Sequence, residues 1–224
     1  MGDIPEHWEL RKVKYLGKIV NGYAFKSNDF KGHNTGCRVM KIANIQHMKL
    51  DWSDESFVDE SFYENLSSYR ILNGELVFAL TRPIISSGIK ASIVNTEEKI
   101  LLNQRNAVFK PAKKFNIALI YYQILNQIFV EHFESLIDDV GQQPNISSES
   151  IANIVIPVPP KCEQEKIVQY LSEKIAKIDT IITKYEKQIS LLEEYRTSLI
   201  SKAVTGQIDV LNWKPQETDT NINE

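Results

Sequence analysis

The sequence predicts an α+β chain, with a globular mixed α/β module over residues 1–160 followed by one long α-helix over 161–206 and a short segment, 207–224. Three observations carry that prediction. Upstream of Ile156-Pro157-Val158-Pro159-Pro160, short apolar runs are separated by the turn dipeptides Asn21-Gly22, Lys31-Gly32, Asn73-Gly74 and Ser87-Gly88. From Glu163 to Val204 there is neither glycine nor proline. Within that stretch the apolar residues fall on an alternating four-three spacing, the signature of a coiled-coil seam.

In the first module, Val39–Ile45, Glu75–Leu80, Ile89–Val94 and Ala107–Lys110 read as strands, being rich in β-branched and aromatic residues. Phe62–Tyr69 and Ile117–Leu136 read as helices, the second an uninterrupted one because no glycine or proline divides it. Residues 141–148 read as a loop, and Ser147 offers an N-cap for a short helix beyond it. The regular strand–helix alternation of a doubly wound fold is missing.

The seam of the long helix consists of Leu171, Ile175, Ile178, Ile182, Tyr185, Ile189, Leu192, Leu199 and Ala203, interrupted only at Arg196. Such a stripe cannot remain in water, so the spacing predicts a partner helix. Gly206 is placed to end the helix in a left-handed conformation. A last apolar piece, Ile208 to Trp213, gives way to a polar tail expected to be disordered.

Composition is that of an ordinary globular chain: 42% hydrophobic, 25% charged, net charge −3. Nothing approaches the ~20 apolar residues of a membrane span, and the start has no signal-peptide pattern, so a cytoplasmic protein without membrane partners is expected. Charge is distributed unevenly. Arg11 to Lys49 holds nine bases and one acid, Asp51 to Glu64 six acids and no base, Lys99 to Lys114 five bases and no acid. Either the basic blocks form a phosphate-facing patch or the acidic block neutralises them in space; charge alone leaves both open.

The sequence has no phosphate-cradling glycine loop and no dinucleotide fingerprint. Its histidines and two cysteines, Cys37 and Cys162, make no metal-ligand spacing. The acid pairs Asp54-Glu55 and Asp138-Asp139 are the sort usually found on solvated surface. No enzyme class is supported. What stands out instead is amide and guanidinium chemistry in expected loops: Arg82 after a strand, Ser87-Gly88, then Gln104, Arg105 and Asn106, and further on Gln142 and Asn145. Those groups pair with base edges, while Lys26, Lys31, Lys113 and Lys114 suit phosphates. Ordinary turn chemistry is the competing explanation, and a plain coiled-coil scaffold the competing function.

The order of motifs resembles that of the type I restriction–modification specificity subunits. Ile4-Pro5-Glu6-His7-Trp8 and Gly22-Tyr23-Ala24-Phe25 resemble the opening of a target-recognition domain. Gly74-Glu75-Leu76-Val77-Phe78-Ala79, Ser87-Gly88 and Leu102-Asn103-Gln104 resemble its middle. Residues 141–147 with Ile156-Pro157-Val158-Pro159-Pro160-Lys161-Cys162-Glu163-Gln164 resemble its end, and Ala203-Val204-Thr205-Gly206-Gln207-Ile208-Asp209 closes the helix. Family members carry this unit twice, whereas here it occurs once with no internal repeat. The resemblance implies a non-catalytic subunit that reads double-stranded DNA. It further implies an antiparallel pairing of the long helix, here with a second copy, to give a homodimer suited to an interrupted palindrome. It implies adenine-methyltransferase modification subunits and restriction/translocase subunits as partners. S-adenosylmethionine, ATP and magnesium would belong to those partners, and this chain would bind no cofactor.

Overall fold

The structure, a computed structural model, describes residues 4–32, 35–112, 115–138, 143–211 and 213–214. The chain falls into two compact units, residues 1–169 and 170–224.

The first unit opens with β1 (Glu9–Lys12), β2 (Gly17–Asn21), β3 (Phe30–Lys31), β4 (Cys37–Met40) and β5 (Phe57–Val58). Helix α1 (Glu60–Asn65) precedes β6 (Arg70–Ile71), β7 (Leu76–Ala79) and the hairpin of β8 (Ile84–Ile85) and β9 (Gly88–Ile89). Next come β10 (Ala91–Ile93), β11 (Ile100–Leu102) and β12 (Asn106–Pro111). Helices α2 (Ile117–Gln123), α3 (Gln127–Ser135) and α4 (Ser148–Asn153) lead to β13 (Val155–Val158) and α5 (Lys161–Val204).

Two sheets pack face to face. One is antiparallel, in the order β10-β7-β12-β2; the other, β3-β5-β4-β11-β6, contains the parallel pair β4 and β11. The period of two along each strand explains why both faces of the first sheet are buried. Leu76, Phe78, Ala107 and Phe109 point to the core shared with Ile120, Phe129, Phe133 and Ile151 of the helices. Their neighbours Val77 and Val108 point the other way, against Met40, Ile71, Ile100 and Leu102 of the second sheet. That sheet's outer face carries Cys37, Val39 and Leu101 beneath Phe25, Phe62, Tyr63 and Tyr69. Unbroken apolar runs such as Leu76–Ala79 and Ile100–Leu102 are what strands covered on both sides require.

Several expected elements differ. The helix read over Ile117–Leu136 is two helices, because the Asn126 carboxamide accepts the Ile128 N–H at 2.9 Å and starts a new one. Phe62–Tyr69 is the short α1, capped by Asp59, followed by a 3-10 turn over Ser67–Tyr69. Val39–Ile45 ends as a strand at Met40, where Asn44 draws the chain into a turn by accepting the Lys41 N–H at 2.8 Å. Ile89–Val94 is divided between β9 and β10. The Ser147 hydroxyl accepts the Ser150 N–H at 2.9 Å and starts α4 as expected.

The second unit contains most of α5. Ile178, Ile182, Tyr185, Ile189, Leu192 and Leu199 are exposed. Gly206, at φ 72°, terminates the helix, with Gly206 N–H donating to Ala203 O and Gln207 N–H to Lys202 O, the paired bonds of a Schellman cap. No helix among the described residues is long and apolar enough to cross a membrane.

Candidate nucleic-acid interface

Strand directions gather most of the suspected reading residues at one end of the antiparallel sheet. β7 finishes there and β12 starts there, since Ala79 pairs with Asn106. β2 finishes there and β10 starts there, by the pairings Asn21 with Ala107 and Ala91 with Phe78. The segments 22–25, 80–90 and 103–105 therefore share one edge. A fourth segment, 143–146, is laid onto them by Arg82 N–H to Pro144 O (2.8 Å) and Ile146 N–H to Leu80 O (2.9 Å). Leu80 N–H to Arg105 O and Gln104 N–H to Tyr23 O, both 2.9 Å, tie in the rest. Below Tyr23, Gly22 lies so close to the Asn103 carbonyl that any β-carbon would collide with it.

On this frame Gln104, Arg105 and Asn145 are exposed. The Arg105 guanidinium donates to Gln143 Oε1 at 3.1 Å, joining two of the loops. Asn145 Oδ1 accepts the buried Thr81 hydroxyl at 2.6 Å and its Nδ2 donates to Gln143 O at 2.8 Å, so both ends of its carboxamide are engaged within the chain. Arg82 is exposed and held at φ 47°, a left-handed backbone that is costly for a side chain with a β-carbon. The other non-glycine residue with positive φ, Met48 (φ 61°), lies at the same end, its N–H bonded to Ala91 O at 3.0 Å. Lys90 is almost fully buried, and its ammonium donates to Ile42 O at 2.7 Å. Burial first, and then the Arg82 charge, lower its pKa below the ordinary lysine value. Among the described residues, Arg82, Lys90 and Arg105 have no ion pair; an acid, Asp138, is bridged to Asn145 on the same edge.

Two sequence-based candidates take a different part. Asn106 is fully buried and its Nδ2 donates to Met40 O at 2.9 Å, joining the two sheets, so its side chain cannot meet a base edge in this conformation. Gly88, at φ 129°, permits a close approach, but the group approaching it is the His47 imidazole and not a ligand. Ser87, with Ser86, forms the exposed tip of the β8–β9 turn. Gln142, Lys113 and Lys114 lie outside the described residues. Lys26 is exposed beyond β2, at the start of the turn Ser27–Asp29.

Neutralisation by the acidic segment accounts for part of the first basic block, Lys31, Arg38 and Lys41. Lys31 pairs with Asp59 at 2.5 Å and Lys41 with Asp54 at 2.7 Å. Arg38 lies between Glu55 and Glu98 and over the Trp52 ring, and Lys99 pairs with Glu60. The Lys31 ammonium and the Ser61 amide hold the Asp59 carboxyl well below the usual carboxylate range. Lys31 is thus engaged by an acid of its own chain.

The most distinctive motif residues build a joint. Glu163, in the first turn of α5, accepts from the Trp8 indole at 2.9 Å and bonds the His7 ring at 2.8 Å. These bonds, the indole's first, lower its carboxyl pKa. Gln164 is buried and donates to Pro159 O at 2.9 Å. Pro160 O accepts the N–H of both Glu163 and Gln164, and β1 pairs antiparallel with β13 alongside. No local pattern announces β1, whose four residues are all exposed. Its only local trace is the His7-Trp8 pair ahead of it.

A family model described as type I restriction modification DNA specificity domain matches residues 5–191. A type I restriction enzyme specificity subunit of Methanocaldococcus jannaschii, MjaVIII, is 30% identical over 216 residues, 95% of this chain and 49% of that protein. The EcoKI specificity subunit of Escherichia coli is 24% identical, over 97% of this chain and 47% of that one. The chain spans about half the length of the curated relatives it matches. Among solved structures, the fold is similar to that of the HsdS subunit from Thermoanaerobacter tengcongensis, with TM-score 0.59, 15% identity and coverage of 92% of this chain and 47% of that one. A chain from work on assembly and conformational transition of the type I R-M system gives TM-score 0.65 at 16% identity, over 90% and 47%.

Proposed function

The chain belongs to the type I restriction modification DNA specificity family, and from that premise we propose that it is a non-catalytic module reading half of a bipartite DNA site. The loop edge carrying Gln104, Arg105, Gln143 and Asn145 would enter the major groove, where amide and guanidinium groups discriminate base edges. Arg82 and Lys26 would hold phosphates and set orientation. A second copy, joined through α5, would bring an equivalent edge to the same duplex, and the helix pair would set the spacing between half-sites. Methyltransferase and restriction subunits would dock on this assembly and carry S-adenosylmethionine, ATP and magnesium. Among the described residues no three His, Cys, Asp or Glu side chains cluster as a metal site.

The supporting observation is the convergence of four loops, cross-linked through main-chain bonds, on an edge where, among the described residues, Arg82 and Arg105 have no ion pair, while Lys31, Lys41 and Lys99 are paired with acids. Selection from a randomised duplex library by the purified chain tests the reading. The expected product is an interrupted palindrome whose binding weakens steeply with salt. Recovery of unrelated sequences, or salt-independent retention, would refute it.

A further inference from the structure

The seam of α5 contains one residue out of character. With Ile175, Ile182, Ile189 and Ala203 at heptad position a, and Leu171, Ile178, Tyr185, Leu192 and Leu199 at d, Arg196 occupies an a position. One flank of the seam, position e, is acidic at Asp179, Glu186 and Glu193. The other, position g, carries Lys174, Ile181, Gln188, Tyr195 and Lys202.

We propose that Arg196 dictates the direction in which two copies pair, by facing Asp179 of the second copy; this rests on the homodimer reading above. In a parallel pair, a layers meet a layers, and two Arg196 guanidinium groups would face each other inside the seam. In an antiparallel pair a layers meet d layers. The register that overlaps the whole seam sets Ile182 against Leu192, Tyr185 against Ile189, Ile175 against Leu199 and Leu171 against Ala203. Arg196 then meets Ile178 of the second copy, an apolar surface for its stem, and its head reaches the acidic flank. That flank needs a cation, because antiparallel pairing places e beside e and would otherwise set Asp179 against Glu193 of the other copy. Arg196 lies three residues from Glu193 on its own helix, so a single guanidinium bridges both acids. The same charge is a penalty in one direction and a neutraliser in the other.

The chain provides its own reporter. Cys162 is exposed, whereas Cys37 is buried and its thiol is pushed up to about 12 by burial, so label attaches at Cys162. In the antiparallel register the two Cys162 residues are roughly 75 Å apart along the helix pair at ~1.5 Å per residue; in a parallel pair they are side by side. The wild-type chain, R196E and R196E/D179R are compared by sedimentation equilibrium at low salt, with energy transfer between Cys162 labels. A wild-type dimer without transfer is expected. R196E should weaken it at least about tenfold, each substitution acting twice by symmetry, and R196E/D179R should restore it. Strong transfer in the wild-type dimer, or a charge exchange that restores nothing, overturns the assignment. A wild-type chain that remains monomeric at tens of micromolar overturns the pairing itself.

Discussion

Residues of the same kind meet opposite fates in the two units. In the first, Phe133 and Val39 are 0% exposed, whereas in the second Ile182 is 48% and Leu192 65% exposed. The first unit satisfies its apolar surface with its own sheets and helices. Among its described residues the second has one helix, the part of α5 from Tyr170 to Val204, about 52 Å long at ~1.5 Å per residue, and the stripe along it is exposed. Folding of the first unit is thus a property of the chain; on the proposed pairing, completion of the second would be a property of concentration.

The contrast is broken most severely by charge in the seam. Ile182→Lys with Ile189→Lys removes four apolar side chains per dimer, at about 1.5–3 kcal/mol each. Sedimentation should then find only monomer at micromolar concentration, while the melting of the first unit is unchanged. The converse is Phe133→Ala, which should cost the first unit about 3–5 kcal/mol in denaturant titration and leave the seam of α5 untouched. Smaller still, Gln104→Ala or Arg105→Ala should change neither melting nor dimerisation. Each should relax base preference by ~1–3 kcal/mol at a position in the selected site, read by competition between duplexes.

The smallest effect falls at the joint. Because the Glu163 carboxyl is held below its usual pKa by Trp8 and His7, the stability it contributes is complete above the ordinary carboxylate range. It is lost as pH falls through the lowered value. Glu163→Gln should abolish that acid-side loss in melts recorded across pH 2 to about 6, while Gln104→Ala retains it.

The long helix and its glycine stop were legible in sequence because each depends on neighbours within a few positions. The strands covered on both faces were legible as unbroken apolar runs. What escaped notice was set by distant partners. β1 is a strand only because β13, far along the chain, pairs with it. Asn106 looked like a reading residue because nothing local tells an amide aimed at solvent from one aimed at the Met40 carbonyl. The break between α2 and α3 did have a local signal, Asn126, but an asparagine inside an apolar pattern reads as a cap only once the chain is seen to turn. The loop edge was legible as residue types and not as a place, since four separate strand ends had to be brought together.

The loops on that edge are joined to one another mainly through main-chain groups: Leu80 to Arg105, Arg82 to Pro144, Gln104 to Tyr23. A peptide N–H or carbonyl is present whatever side chain the residue bears. The exposed positions of the edge are therefore like type set in a fixed forme: the letters can be exchanged while the frame that holds them stays locked, and on the proposed function a new target would need substitutions and no refolding.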